Sequence, residues 1–351
     1  MSMRSCVRLG VRALHAAAPA RSARPSIAAI AELRRAVPGT SLIKAREALA
    51  AAGDVRGATA WLEADRQKEG AKRAAKVSSR RAAEGVVGVC TLADGVTDRA
   101  RGAIIELACE TDFVARNELF ARLARDIAHT AAVFPVLAGG EGMRDLDVQV
   151  LLECPLVPFG APTDSPRTVG AAIIETISRL GEKIALVRAA ALFHTPLVTG
   201  VFAHGAATVP PADAATRATY AAGKVAALVG AQFARVPADA ESHARIRALA
   251  RSLARQAAGF ETHSIDGDGG ADDVPTALLE QPFAMLLPAA GAPSDAPVRA
   301  VLAEWAAAHL GAPDAVSVAA LRRWAVGESA APAAPGASFA DEVKHAAGIV
   351  S

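Results

Sequence analysis

The sequence has few cysteines and few aromatic residues for a chain of 351 positions. Its four cysteines are Cys6, Cys90, Cys109 and Cys154, which form no C-x-x-C pair and have no histidine cluster nearby. This spacing argues against a structural zinc site and a disulfide framework, and it fits a reducing compartment. Aromatic residues make up only 4% of the chain. A broad stacking platform for single-stranded nucleic acid is therefore not expected.

The chain also lacks a strong net charge and the short motifs of common enzymes. Its formal net charge is +2, which argues against a dedicated polyanion binder. No G-x-x-x-x-G-K-[ST], G-x-S-x-G or H-E-x-x-H motif occurs. Glu106 and Glu110 could be imagined as an acid–base pair, but no other residue type converges on them. We predict no enzymatic activity, no cofactor and no metal site.

One long stretch, residues 189–212, has almost no charged side chain and could be mistaken for a membrane span. Pro196, Gly200 and Gly205 interrupt it, and its periodicity is not helical. We predict two short strands and a turn here, and no transmembrane segment.

The first residues of the chain are basic and contain no acidic side chain before Glu32. Arg4, Arg8 and Arg12 recur every four residues, so they would share one face of a helix. This pattern is typical of a mitochondrial transit peptide, which we assign to residues 1–26. The alternative is a disordered basic tail.

Residues 27–68 have the pattern of a small module of three short helices. Gly39 and Gly53 mark its turns, and Ser41 precedes a helix over Leu42–Ala52 as a candidate cap. Such a bundle resembles a ubiquitin-associated module. Residues 69–84 follow as a basic linker, and the basic residues between 66 and 81 predict either a solvated face or a docking surface for an acidic partner.

The rest of the chain mixes strand and helix patterns. Residues 85–109 predict a hairpin around Asp94 and Gly95, with Thr111 at a strand-to-helix transition. Further strands are expected at 145–153 and as a second pair over 183–204. Helices are expected over 113–132, 170–180, 216–236, around 246–253, over 299–310 and over 338–347. The acidic glycine-rich loop 264–274 has only a weak likeness to a calcium loop.

Several motifs in a fixed order resemble the elongation factor Ts family. The stretch from Cys109 to Asn117, CETDFVARN, resembles the family signature. The N-terminal module, the residues Gly181–Ile184, the motif LEQPF at 279–283 and the motif RWAVGE at 323–328 are similar to further family motifs. The resemblance covers about residues 30–347. Residues 285–296 look like an insertion.

The resemblance implies an α+β fold. It consists of the N-terminal ubiquitin-associated-like module plus a core of two similar subdomains, each with a small antiparallel sheet flanked by helices. We place the first subdomain at 85–165 and the second at 166–295, with a helical insertion at 213–260. Residues 296–351 form a C-terminal region with a helical tail.

The resemblance also implies the function of a guanine nucleotide exchange factor in mitochondrial translation elongation. The expected partner is mitochondrial elongation factor Tu in a 1:1 heterodimer, without direct contact to nucleic acid or a membrane. The expected partner-binding residues are Thr111, Asp112, Phe113, Val114, Arg116, Asn117, Leu42, Ile43, Arg34, His194, Phe339 and Val343.

The sequence also allows each of these residues a purely structural role. Thr111 could simply cap a helix, with Phe113 as a core residue beside it. Leu42 and Ile43 could belong to the core of the module, and His194 could be structural. Phe339 and Val343 could pack on the chain itself. Two other functions stay open as well: a ubiquitin adaptor using 27–68, and a basic RNA-binding protein using 66–81.

Overall fold

The computed structural model describes residues 25–134, 142–160, 167–205, 218–267, 276–285 and 295–328, except for the side chains at 194 and 195. Their helices are α1 Ile27–Ala36, α2 Leu42–Ala52, α3 Val55–Val77, α4 Asp112–Ala115, α5 Glu118–Val133, α6 Val148–Glu153, α7 Val169–Leu180, α8 Ala240–Gly259 and α9 Val298–Leu310. Their strands are β1 Glu84–Ala93, β2 Ala100–Cys109, β3 Gly142–Leu146, β4 Ile184–Thr195, β5 Leu197–His204, β6 Thr219–Gly223, β7 Val225–Phe233 and β8 Val316–Ala325.

The chain divides into two compact units, with the boundary between Glu69 and Gly70, inside α3. In the first unit, α1, α2 and the start of α3 enclose a small core that includes Leu33, Leu49 and Leu62. Ser26 and Ser41 cap α1 and α2, because each side chain accepts a hydrogen bond from a backbone N–H in the first turn. The three predicted helices are therefore confirmed. The likeness to a ubiquitin-associated module stays a prediction.

The second unit contains two antiparallel sheets. The five-stranded sheet has the order β3-β4-β2-β1-β6, and the three-stranded sheet has the order β5-β7-β8. The hairpin of β1 and β2 forms where the sequence predicts it. Small antiparallel sheets together with helices agree with the predicted α+β class.

Side chains that alternate between the two faces of each strand divide the second unit into layers. On β2, Ile105 and Leu107 face a core built with α5 and α7, whereas Ile104 faces the other sheet. On the far side, the three-stranded sheet packs against α8 and α9. Gly200 allows close packing there, since a Cβ at this position would lie 1.8 Å from the carbonyl oxygen of Ala250 on α8. The two sheets therefore pack face to face between two layers of helices.

The predicted helix over 216–236 is wrong, because the structure has β6 and β7 there. β7 is the central strand of its sheet and is buried along most of its length. A strand buried on both faces shows no alternation, so its apolar run cannot be distinguished from a helix by periodicity. The predicted helical insertion 213–260 is thus helical only in α8, and residues 206–217 lie outside the described part.

Other predicted elements need smaller corrections. The strand over 145–153 is wrong beyond Leu146, since the carboxylate of Asp147 accepts hydrogen bonds from the N–H groups of Gln149 and Val150 and caps α6. The helix predicted over 113–132 is interrupted at Arg116 and Asn117. β4 and β5 exist as predicted, but they belong to different sheets and do not pair with each other.

The predicted segment boundaries differ from the topology at two places. Helix α3 runs to Val77, so much of the predicted linker 69–84 is helical. The boundary at 165/166 cuts the five-stranded sheet, because β1, β2 and β3 precede it and β4 and β6 follow it. Pairing of sequence-distant strands sets this arrangement, and local patterns do not report it.

The predicted helix over 299–310 is confirmed as α9, whereas the motif at 323–328 lies partly on β8, which the sequence patterns missed. Residues 1–24 of the predicted transit peptide 1–26 lie outside the described residues. The same holds for residues 268–275 and 286–294 and for the helix predicted over 338–347. Within the described part of the chain, no helix combines the length and the apolar character needed to cross a bilayer.

Candidate functional site

The segment Thr111–Asn117, called the recognition turn here, connects the end of β2 to α5. Thr111 has extended backbone, and its side-chain oxygen accepts a hydrogen bond from the N–H of Val114 at 3.3 Å, which starts α4. Val114 points into the main core of the second unit. The residue before it, Phe113, is 80% exposed. The turn is therefore anchored on one side while its aromatic ring lies in solvent.

Charged side chains flank the exposed ring. The carboxylate of Asp112 lies 3.2 Å from the guanidinium of Arg116, one helical turn later, and both groups are well exposed. Asp112 also lies in the first turn of α4, where a negative charge is favourable. An exposed ion pair of this kind contributes little to folding stability, so both charges are available to a partner.

Asn117 has a structural role in the described chain. Its side-chain oxygen accepts a hydrogen bond from the N–H of Leu119 at 2.9 Å and so caps α5. The recognition turn thus consists of the capped helix α4, Arg116 and the cap of α5 at Asn117. Leu119, which the sequence analysis did not select, is exposed next to this cap.

The groups around the turn do not support acid–base or nucleophilic chemistry. The thiol of Cys109 donates to the carbonyl oxygen of Thr111 at 3.2 Å, and burial raises its pKa to about 12. Glu106 is buried and accepts from Arg188 and from the N–H of Gly327. Glu110 accepts from the N–H of Lys183 and from Arg80. All three groups are committed to structural contacts, and the imagined acid–base pair does not form.

The predicted residues of the first unit lie around α2. Leu42 is 46% exposed and Ile43 is 69% exposed, both in the first turn of the helix. The core of this unit is built from other residues, Leu49 of α2 among them. The interpretation of Leu42 and Ile43 as core residues is therefore wrong for Ile43 and only partly applicable to Leu42. Arg34 donates to the carbonyl oxygen of Thr40 at 3.1 Å and so supports the turn before α2.

Of three further predicted residues, the structure places only the backbone of His194. His194 lies at an irregularity of β4, because Arg101 pairs with Phe193 while Ala100 pairs with Thr195. The extra residue between these pairs is His194, which marks a β-bulge in the backbone of β4. Phe339 and Val343 lie outside the described residues.

The structure also adds residues that motif reading did not assign. The backbone N–H and the hydroxyl of Thr111 both donate to the carboxylate of Glu182, at 3.0 and 2.7 Å. Glu182 follows Gly181, a left-handed residue that ends α7. A glycine stop followed by a carboxylate was visible in the sequence, but its target 71 residues earlier was not.

In the described part of the chain, no three histidine, cysteine, aspartate or glutamate side chains cluster in a way that could hold a metal ion. The recognition turn, by contrast, offers an exposed aromatic ring, an exposed ion pair and a capped backbone. These features suit the binding of another macromolecule.

Comparison with known proteins yields one family and a set of closely similar chains. The family model described as "Elongation factor TS" matches residues 110–293. "Elongation factor Ts, mitochondrial" of Malassezia globosa is 47% identical over 394 aligned positions, which cover 96% of this chain and 97% of the relative. The protein of the same name from Mycosarcoma maydis is 41% identical, covering 95% and 92%, and that of Coprinopsis cinerea is 39% identical, covering 87% and 92%.

Proposed function

The chain belongs to the elongation factor Ts family, and on this basis we propose that it binds mitochondrial elongation factor Tu and promotes release of its GDP. Members of this family are nucleotide exchange factors of translation elongation, and their partner is elongation factor Tu. The similar chains are named mitochondrial, which supports the mitochondrion as the compartment. The proposal places the complex in the matrix as a 1:1 heterodimer that needs no cofactor, nucleic acid or membrane.

The exposure of Phe113 is the observation that carries the proposal. Among the described residues it is the only phenylalanine whose side chain is mostly in solvent. Burying such a side chain contributes about 2 kcal/mol, so leaving it in water forgoes a large stabilising term. Because α4 is capped by Thr111 and anchored by Val114, the ring is presented on a defined backbone. This arrangement is that of an interface anchor.

In the proposed mechanism, Phe113 and Asp112 press into the GTPase close to its magnesium and phosphate site. Phe113 acts as a wedge between side chains of the partner that hold the metal-coordinating elements in place. When the magnesium ion is lost, the phosphate charges of GDP are no longer neutralised, and the affinity for GDP falls.

The energetics of this mechanism require only coupled binding. Binding of the exchange factor and binding of GDP oppose each other, and the coupling is the same in both directions. Each tenfold loss of GDP affinity requires about 1.4 kcal/mol of differential binding. One buried aromatic anchor can supply about 2 kcal/mol or more. GTP then displaces the factor by the same coupling.

We propose additional contacts outside the recognition turn. Ile43 and Leu42 present exposed apolar surface at the start of α2, which suits a contact with the GTPase domain. Arg34 contributes by supporting the turn before this helix. His194 is proposed as a second contact on the nucleotide domain, and Phe339 and Val343 as part of a C-terminal helix that docks on the partner.

The proposal predicts the rate at which fluorescently labelled GDP leaves mitochondrial elongation factor Tu. The parent chain is expected to accelerate release strongly, and Phe113→Ala is expected to lower this acceleration by about tenfold or more, because it removes the anchor. The measurement is stopped-flow fluorescence at a series of factor concentrations. Val150→Ala is the matched control, since Val150 is also an exposed apolar residue of the second unit.

Each outcome decides a different part of the proposal. Equal acceleration by the parent and Phe113→Ala would keep the function but exclude Phe113 as its main lever. No acceleration by either chain, with circular dichroism showing both folded, would contradict the function. Equal losses in Phe113→Ala and Val150→Ala would point to a general loss of surface contact.

A further inference from the structure

A single carboxylate binds both hydrogen-bond donors of Thr111. The backbone N–H of Thr111 donates to one oxygen of Glu182 at 3.0 Å, and the hydroxyl donates to the other oxygen at 2.7 Å. Hydrogen bonds to an ionised acceptor are roughly twice as strong as those between neutral groups. The start of the recognition turn is therefore held at two atoms by one side chain from outside the turn.

The contact with Glu182 also sets the direction of the cap. A threonine hydroxyl has one proton and two lone pairs, and a carboxylate can only accept. Because the proton points to Glu182, a lone pair remains for the N–H of Val114, which donates to the same hydroxyl at 3.3 Å. Glu182 thus acts through Thr111 on the first turn of α4, which includes Phe113.

A second contact in the opposite direction strengthens the arrangement. Glu110, next to Thr111, accepts from the backbone N–H of Lys183 at 2.6 Å. The ammonium group of Lys183 donates to the carbonyl oxygens of Ser78 and Arg80, at 2.7 and 2.8 Å. Each of the two chain segments therefore supplies a carboxylate to the backbone of the other.

Local backbone geometry directs Glu182 toward the turn. Helix α7 ends at Gly181, whose φ of +78° lies in the left-handed region that favours glycine. The chain reverses there and runs into β4, the neighbour of β2 in the sheet. Cys109 of β2 pairs with Ile184 of β4, so Glu182 and Thr111 lie just beyond two paired strand ends.

We propose that Glu182 is a positioning residue that holds Phe113 in its binding orientation before the partner arrives. This inference rests on the proposed function of the recognition turn. Phe113 has little packing of its own, so the backbone from 111 to 114 determines where the ring lies. Holding a binding segment in its bound form removes an ordering cost from association.

The test compares Glu182→Gln with the parent chain in GDP release from mitochondrial elongation factor Tu. Glutamine keeps the size of the side chain but replaces one acceptor oxygen with a donor NH2 group. If the turn then spends only part of its time in the binding orientation, the apparent affinity falls by that fraction. We expect the half-saturating factor concentration to rise by about fivefold or more, with an unchanged maximal rate.

Three further variants make the readout specific. Thr111→Val removes the hydroxyl and is expected to resemble Glu182→Gln. In the Thr111→Val background, Glu182→Gln should add little, because the two changes act through one contact. Glu175→Gln is the matched control: Glu175 is a carboxylate of α7 that pairs with Arg167 and Arg179.

Amide hydrogen exchange at Thr111 in the free chain supplies a readout that does not need the partner. Glu182→Gln is expected to speed exchange at this amide and to leave the melting temperature close to that of the parent. A normal half-saturating concentration together with unchanged exchange would overturn the inference, and so would equal effects of Glu175→Gln. If the parent chain fails to accelerate GDP release from the GTPase, the proposed function fails. Hydrogen exchange at the Thr111 amide would still decide whether Glu182 holds the turn.

Discussion

At the residue scale, Asp126 of α5 is the most informative buried charge. It is 4% exposed, and its carboxylate accepts from the N–H of Phe159 at 3.0 Å. The guanidinium groups of Arg122 and Arg125 lie 3.9 Å away, at the edge of ion-pair distance. Burial raises the pKa of Asp126, and the hydrogen bond and the arginines only partly offset this. The ionised carboxylate therefore opposes folding.

The sign of the pH dependence follows from this raised pKa. Because the folded state holds the proton more tightly than the unfolded state, stability falls as the pH rises from the unfolded pKa through the folded pKa. Asp126→Asn cannot ionise. The free energy of unfolding of Asp126→Asn minus that of the parent is therefore expected to be larger at about pH 7 than at about pH 4. The variant thus gains stability relative to the parent as the pH rises. Urea denaturation of both chains at the two pH values measures this difference.

Comparing the stability difference between variant and parent at the two pH values cancels any effect of the amide group that does not depend on pH. If the variant and the parent differ in free energy of unfolding by the same amount at both pH values, the arginines fully offset the burial of Asp126. A difference of opposite sign would mean that the ionised group stabilises the fold.

At the element scale, α2 serves two purposes with different residues. Ala45, Ala48 and Leu49 lie in the core of the first unit, while Ile43 lies in the first turn of the helix and is exposed. A helical stripe needs only part of the circumference, so an apolar residue outside the stripe has no packing role. Its exposure agrees with a contact surface at the N-terminal end of α2.

Ile43→Ser is expected to weaken binding to mitochondrial elongation factor Tu by about fivefold, which corresponds to about 1 kcal/mol. The free energy of unfolding should change by no more than about 0.5 kcal/mol, because the side chain is exposed. Isothermal titration and urea denaturation measure the two quantities.

Leu49→Ala is the contrasting variant for α2, since it removes a buried side chain and should destabilise the unit by about 2–5 kcal/mol. If Ile43→Ser binds the partner as tightly as the parent, the proposed contact at α2 is wrong. If it unfolds the unit, Ile43 has a packing role after all.

At the scale of the second unit, a buried ion pair within the five-stranded sheet also contacts the end of β8 in the three-stranded sheet. Glu106 of β2 is 1% exposed and accepts from Arg188 of β4 at 2.6 Å. The other oxygen of Glu106 accepts from the N–H of Gly327, which follows β8 of the second sheet. Arg188 also donates to the carbonyl oxygen of Ala325 and stacks 4.5 Å from the ring centre of Trp324. The pair thus links both sheets through side chain and backbone.

Arg188→Met is expected to lower the free energy of unfolding by about 3 kcal/mol or more, because it leaves the buried Glu106 without its charged partner. Arg245→Met is the control, since Arg245 pairs with Glu241 on the surface of α8, and its loss should cost about 0.5 kcal/mol or less. Urea denaturation compares the two. A similar small loss in both variants would show that water or Gly327 compensates for the missing guanidinium.

Local patterns in the sequence were sufficient for many elements. Ser41 and Gly53 bound α2 at the predicted residues, since capping depends on side chains within a few positions of the helix end. The hairpin of β1 and β2 was predictable for the same reason. β7 was not, because its apolar run reflects burial between α8 and the five-stranded sheet, whose strands β1 and β2 lie far away in sequence.

The sequence by itself determined the family, the order of the motifs and the residues of the recognition turn, because these reside in short contiguous stretches. Only the tertiary structure decided that Phe113 is exposed while Val114 is buried, and that Glu182 holds Thr111. The reason is physical: exposure and long-range hydrogen bonds depend on which strands become neighbours. β2 and β4 are separated by 74 residues between Cys109 and Ile184, and pairing of their ends creates the site.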